Sequence, residues 1–239
     1  MMLGNQYSQQ PVWIYQLKIV LRGISPMIWR RLLVHSDTTI AALHSILQTA
    51  MGWEDSHLHR FRIHGKDYGI AYVGGISFAD NPHQVELHQF RLQPGERFLY
   101  EYDFGDLWQH DVRLEAILPM DSNQFYPVCI AGKHACPPED CGGPQRYLAE
   151  GQERTSLAAL EDLQMLAAAM EQLLEGEGLG EFEDPDKRVE LAIALERVRE
   201  HERFNPTLFK RRSVNAQLRR LTQLTEENHA IQNPIDDRQ

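Results

Sequence analysis

From Tyr15 to Arg22 apolar and polar residues alternate, with Tyr15, Leu17, Ile19 and Leu21 set against Gln16, Lys18 and Arg22 and only Val20 breaking the pattern. A period of two puts alternate side chains on opposite faces, which predicts a strand with one buried face. Gly23 to Pro26 reads as a turn and Ile28 to Val34 as the hairpin partner. The period then changes: Ile40, Leu43, Ile46, Leu47, Ala50 and Met51 fall at helical spacing, behind Asp37 or Thr38 as cap and ahead of Gly52 as stop. Phe61 and Ile63 return to alternation, Gly65-Lys66-Asp67 turns, and Tyr68 to Tyr72 is expected to pair back. Residues 73–82 read as a loop and Val85 to Leu92 as a weak strand. Phe98 to Phe104 and Leu107 to Leu118 form the strongest predicted strand pair.

After Pro144 the pattern turns helical. Thr155 or Ser156 would cap an amphipathic stretch from Leu157 to Leu174 that ends at Gly176 and Gly178. Asp184-Pro185 is an N-cap followed by proline at the first helical position, opening a helix to about Arg203. Asn205-Pro206 repeats the device, and a last short helix runs from Ser213 to Leu224. The fold class expected is therefore α+β: a mixed β-sheet with a packed helix, β-grasp-like, over residues 12–150. A helical C-terminal region follows over 151–224, with a disordered tail over 225–239.

Composition narrows the function classes. A hydrophobic content of 42% with 24% charged residues is ordinary for a soluble chain. No apolar run reaches membrane-spanning length, and the polar N-terminus has no signal core, so a cytoplasmic protein is expected. The net charge of −10 opposes sequence-independent DNA binding, despite Lys210, Arg211, Arg212, Arg219 and Arg220. Among partners, a protein is favoured over nucleic acid. Three cysteines do not make a disulfide framework.

The candidate chemistry lies between Tyr100 and Tyr147. Asp103, Asp106 and His110, with Glu139 and Asp140, could hold a divalent metal or do acid–base work if they converge. Hairpin register governs this. A three-residue loop pairing Phe104 with Trp108 and Tyr102 with His110 gives one apolar face, and would make His110 a packed imidazole. Cys129, His134, Cys136 and Cys141 could hold a tetrahedral zinc, although the spacing is not that of a standard knuckle. The preferred reading of Pro137-Pro138-Glu139-Asp140 is a rigid turn, with at least one carboxylate buried and bonded. His57 and His59 are two apart and could share a face. Asp103 or Asp106 is expected to pair with Arg30 or Arg31.

The motifs also resemble a known family. Pro26-Met27-Ile28-Trp29-Arg30-Arg31, Met51-Gly52-Trp53, His57-Leu58-His59, Tyr102-Asp103-Phe104-Gly105-Asp106-x-Trp108-x-His110 and Cys136-Pro137-Pro138-Glu139-Asp140-Cys141-Gly142-Gly143 are similar to those of plasmid pRiA4b ORF-3-like proteins. The likeness covers about residues 14–150, with a looser match at Phe204-Asn205-Pro206-x-x-Phe209 and Val214-Asn215. It implies a bacterial accessory or mobile-element setting, sometimes labelled transposon passenger or resolvase-type. No activated serine with surrounding arginines supports the resolvase label. The function expected is a binding or interaction module using Trp29, Arg30, Arg31 and Trp108. The alternative is a metal-dependent hydrolase or nuclease using Asp103, Asp106, His110, Glu139 and Asp140. No cofactor is required by the sequence.

Overall fold

The alternation that begins at Tyr15 builds the centre of a seven-stranded sheet in a computed structural model of the chain, which describes residues 11–232 apart from 74, 155–156, 176–183 and 204–207. The strands are β1 (Trp13–Leu21), β2 (Trp29–His35), β3 (His59–Ile63), β4 (Lys66–Tyr68), β5 (Arg97–Tyr102), β6 (Trp108–Pro119) and β7 (Val128–Lys133), in the order β4-β3-β5-β6-β1-β2-β7. Helix α1 (Ile40–Met51) starts at Thr39, whose hydroxyl accepts from the Ala42 amide, and stops at Gly52 in the left-handed conformation. The N-cap is thus Thr39, one residue past the expected Asp37 or Thr38.

The fold is α+β, but the sheet is antiparallel throughout where a mixed one was expected. The α1 crossover joins β2 to β3, which run the same way. Between them lie β1, β6 and β5, so no parallel pair forms. Antiparallel sheets tolerate one wet face, and this one has it. Leu17, Ile19, Leu32, Val34, Phe61, Tyr100, Val112 and Leu114 are buried on the α1 side. The opposite face carries cross-strand ion pairs, including Arg31 with Glu115 and Arg60 with Glu101.

Two short segments differ from expectation. Only Lys66–Tyr68 pairs back on β3, and Leu87–Phe90 is a 3₁₀ turn, with Thr39 bridging to Glu86 just before it. The C-terminal helices are α2 (Gly143–Arg154), α3 (Leu157–Glu175), α4 (Pro185–Arg203) and α5 (Arg211–Gln232). The Asp184 side chain accepts from the Asp186 amide, as an N-cap should. The expected cap at Thr155 or Ser156, the stop at Gly176 and Gly178, and the Asn205-Pro206 device lie outside the described residues. Helix α5 begins two residues before Ser213 and continues past Leu224 to Gln232, into the segment read as tail.

Helix α5 closes the β7 edge. Asn215 bonds the Cys129 amide and carbonyl at 2.7 and 3.0 Å, and Arg211 donates to the Ile130 carbonyl at 2.7 Å. An open strand edge invites pairing with other chains, and these side chains occupy it. Just before α5, Phe209 lies against Gly132 and stacks on Arg30, 4.2 Å from its guanidinium carbon.

Candidate functional site

Antiparallel order brings the ends of β5 and β7 and the starts of β3 and β6 to one end of the sheet. Three loops meet there: 52–58 after α1, 103–107 in the β5–β6 hairpin, and 134–142 after β7. Each is tied down by its own residues. Asp103 Oδ1 accepts from the amides of Gly105 and Asp106 at 2.9 and 3.3 Å, with Asp103 at φ 54°. That side chain-to-backbone turn makes the hairpin loop five residues long, so Tyr102 pairs with Trp108 and Tyr100 with His110. The expected three-residue loop is off by two. The shift is even, so the apolar face is the one expected. His110 is fully buried, 5.2 Å from the Tyr100 ring and edge-on to Trp53. Burial holds its pKa down at about 3, against backbone contacts to Tyr100 and Trp108 that act the other way.

The 134–142 loop is strapped by Glu139. Its Oε2 accepts from the Glu54 amide at 2.8 Å and its Oε1 from the Tyr102 hydroxyl, which itself accepts from the Ser56 amide at 2.9 Å. Burial first, then Glu139, raise the Tyr102 pKa, so the phenol keeps its proton as donor. Asp106 Oδ2 accepts from the Gly142 amide at 3.0 Å, and the Asp106 carbonyl crowds Gly143 so closely that a side chain there would clash. Glu139 is therefore half-buried and bonded, as expected of this turn, while Asp140 is exposed.

What the loops leave in common is a small polar rim. His57 Nε2 lies 3.0 Å from Asp140 Oδ1 and 3.7 Å from Asp103 Oδ2. One ligand-capable atom from each residue falls within 4.8 Å of the others. Beneath it is a second histidine group. His44 and His59 stack at 3.4 Å with planes 8° apart, and His44 Nε2 meets Asp55 Oδ1 at 2.6 Å. Burial, followed by the neighbouring His44, lowers the His59 pKa to about 3. Stacked rings aim their in-plane lone pairs in parallel, so His44 and His59 cannot both point at one ion without rotating. His57 and His59, expected to share a face, fall into different groups.

Several expected site residues sit elsewhere. Arg30 is buried without a carboxylate: it donates to the carbonyls of Ala50, Trp29, Lys133 and His134 at 2.9 to 3.1 Å. Ala50 is in the last turn of α1, where free carbonyls and the negative end of the helix dipole suit a guanidinium. Arg31 pairs with Glu115 at 2.5 Å, so neither arginine meets Asp103 or Asp106. Trp108 is fully buried and Trp29 lies on the opposite face under Lys18 and Arg31, so these residues make scaffold and no shared groove. The cysteine set is dispersed. Cys129 faces the Ala131 carbonyl, Cys136 packs on Met51 and Arg30, and the metal-capable groups among the described residues contain no cysteine. Burial lifts the thiols of Cys136 and Cys141 to about 11.

Comparison with known proteins agrees with these motifs. The family described as plasmid pRiA4b ORF-3-like protein matches residues 13–184. The chain belongs to that family. An uncharacterized protein, y4hQ of Sinorhizobium fredii, is 34% identical over 138 residues, which is 56% of this chain and 69% of the relative. The crystal structure of MM3350 from Methanosarcina mazei Go1, titled a protein of unknown function, has 31% identity and a TM-score of 0.61. The match covers 85% of this chain and 97% of that one. Among the described residues no helix is long and apolar enough to cross a membrane.

Proposed function

We propose that this family member is a binding module whose binding end is the rim of His57, Asp103 and Asp140, and that the rim works by holding a divalent transition-metal ion. The observation that carries the reading is the convergence of three ligand-capable atoms, from three separate loops, within 4.8 Å. One imidazole with two carboxylates suits manganese, iron or zinc better than magnesium or calcium, which prefer oxygen alone. Three protein ligands leave coordination positions for a polar group of the partner. That partner is a protein: the charge of −10 works against a nucleic-acid backbone. An accessory or mobile-element setting belongs to the same proposal and rests on the family likeness. Three unpaired cysteines suit a reducing compartment, hence the cytoplasm.

The second reading is a metal-dependent hydrolase, and the same open positions favour it, since bound water there becomes a nucleophile. Of the expected catalytic set it retains Asp103 and Asp140 and gains His57. Asp106 and Glu139 are occupied as loop ties and His110 is packed away. Calorimetric titration of chelator-stripped protein with Mn²⁺ or Zn²⁺ tests both readings. One site per chain is expected, weakened about tenfold or more by Asp140→Asn, the scale on which metal sites respond to lost support. Asp140 is exposed, so that variant should melt like the wild type. No binding at millimolar metal, or binding indifferent to both Asp140→Asn and His57→Ala, would refute the site. Turnover of a phosphodiester by the loaded wild type alone would select the hydrolase.

A further inference from the structure

Helices α3 and α4 pack on each other, with Arg197 bonded to Asp162 at 2.7 Å and Ala169 and Ala194 buried between them. Two helices cannot cover both of their own sides. Along α3, Leu160, Leu163, Ala167, Met170 and Leu174 recur at steps of three, four, three and four, on a side turned away from the buried contact. That spacing is the seam of a helix–helix interface. Here the seam is bare: Leu163 is 51% exposed, Met170 63% and Leu174 83%. Alongside it, Leu166 and Met170 of α3 and Arg188, Ala192 and Leu195 of α4 line a shallow apolar groove. Arg188, Ala192, Leu195 and Arg199 repeat the same spacing on α4, with arginine at both ends.

We propose that a second copy of this chain occupies this face, so that two α3–α4 hairpins close into an antiparallel four-helix bundle around a two-fold axis. A two-fold contact must be self-complementary, each patch meeting its counterpart. Charge selects one arrangement. The described side chains of α3 carry acid only, at Glu161, Asp162 and Glu171, so α3 against α3 sets like charges together. The alternative lays α3 of one copy over α4 of the other. Within one chain Met170 and Arg188 border the same groove. A two-fold axis along the helices keeps levels fixed, so Glu171 of one copy comes level with Arg188 of its partner. The seam then meets the Ala192 and Leu195 stripe with an opposite charge at its margin.

Sedimentation equilibrium of the full chain from about 1 to 200 µM tests this. A mass twice the 27.6 kDa of one chain is expected. Met170→Glu should abolish the dimer, and Arg188→Glu should weaken it about tenfold. Both residues are exposed, and circular dichroism identifies any variant whose helices are lost. The charge swap Arg188→Glu with Glu171→Arg should restore association. A wild-type monomer at every concentration would overturn the proposal and assign the face to a different partner. A dimer indifferent to Met170→Glu would overturn it by placing the contact elsewhere. Failure of the charge swap to restore what Arg188→Glu removes would overturn the α3-over-α4 arrangement.

Discussion

Tyr100→Phe removes one oxygen from the core and keeps the ring, so its effect reads the buried polar network almost alone. The Tyr100 hydroxyl is fully buried, accepts from Gln48 Nε2 at 2.8 Å and lies 2.8 Å from His44 Nδ1. His44 Nε2 meets Asp55, and the Asp55 amide donates to Gln48 Oε1 at 3.2 Å, which closes the ring of bonds. The tautomer follows from the network: the proton sits on Nε2 towards Asp55, and Nδ1 accepts from the tyrosine. Removing the hydroxyl strands one buried acceptor and one buried donor. Each costs about 1–3 kcal/mol unsatisfied, so a loss of about 2–6 kcal/mol is expected. At about 2–4 °C per kcal/mol for a chain of this size, the melting temperature falls by roughly 4–24 °C. Urea unfolding followed by circular dichroism measures the loss. Gln48→Met should cost less in the Tyr100→Phe background than in the wild type, because its donor is already stranded; the coupling should be about 0.5–3 kcal/mol. A Tyr100→Phe loss below about 0.5 kcal/mol, or strict additivity with Gln48→Met, would refute the network.

Two further outcomes follow from the buried face. His59 and His110 are held neutral by burial down to about pH 3, whereas an unfolded histidine titrates near 6.5. Between those values the unfolded chain binds more protons, so stability is full above about 6.5 and is lost as pH falls towards 3. The slope is up to about 1.4 kcal/mol per pH unit for each histidine. Urea midpoints at pH 7, 6 and 5 should show it, and His110→Gln should flatten it; equal slopes in both proteins would discredit the assignment. Gly132→Ala places a methyl within 2.6 Å of the Phe209 ring and 3.0 Å of the Trp29 carbonyl. A loss of about 1–3 kcal/mol is expected from overpacking, with faster amide exchange in α5. Unchanged exchange in α5 would show that Phe209 does not anchor it.

Strands and helix α1 were legible because one buried face imposes a period, and the period is local. Tyr15 to Leu21 could be read from seven residues. What the sequence could not carry was contact at a distance. The partner of Arg30 was expected to be a carboxylate, since a buried charge requires compensation. Four backbone carbonyls perform that role, and carbonyls leave no mark on residue identity. The five-residue hairpin loop was missed for a related reason: Asp103 is a routine turn residue, and only its doubly accepting side chain sets the length. Asp103 and Asp140 stand out in the sequence because their motifs are polar inside an apolar frame. His57 was noted, but its pairing with Asp140 crosses 83 residues of chain, and no local pattern encodes it.

Asp55, Asp103 and Asp140 all hold positive φ, at 59°, 54° and 58°, and all three lie in the two adjoining histidine groups. Asp tolerates that conformation better than most residues, yet it still stores some strain unless local bonds offset it. At Asp103 they do, through Gly105 and Asp106. At Asp55 the offset comes from Gln48 and His44. Asp140 is exposed and pairs with His57, and a side chain so open to solvent is not held in its conformation by packing. The residue before it, Glu139, is bonded on both oxygens, and Gly142 two residues after it is bonded to Asp106. The loop is thus fixed on either side of Asp140, and the fixed backbone turns that one carboxylate towards His57 and Asp103. A turn serving only to link β7 to α2 would leave its exposed aspartate free to relax. Holding it against an imidazole and a second carboxylate has a use when a cation lies among the three, and this is why the rim, rather than the better-bonded network under it, is where a ligand should be sought.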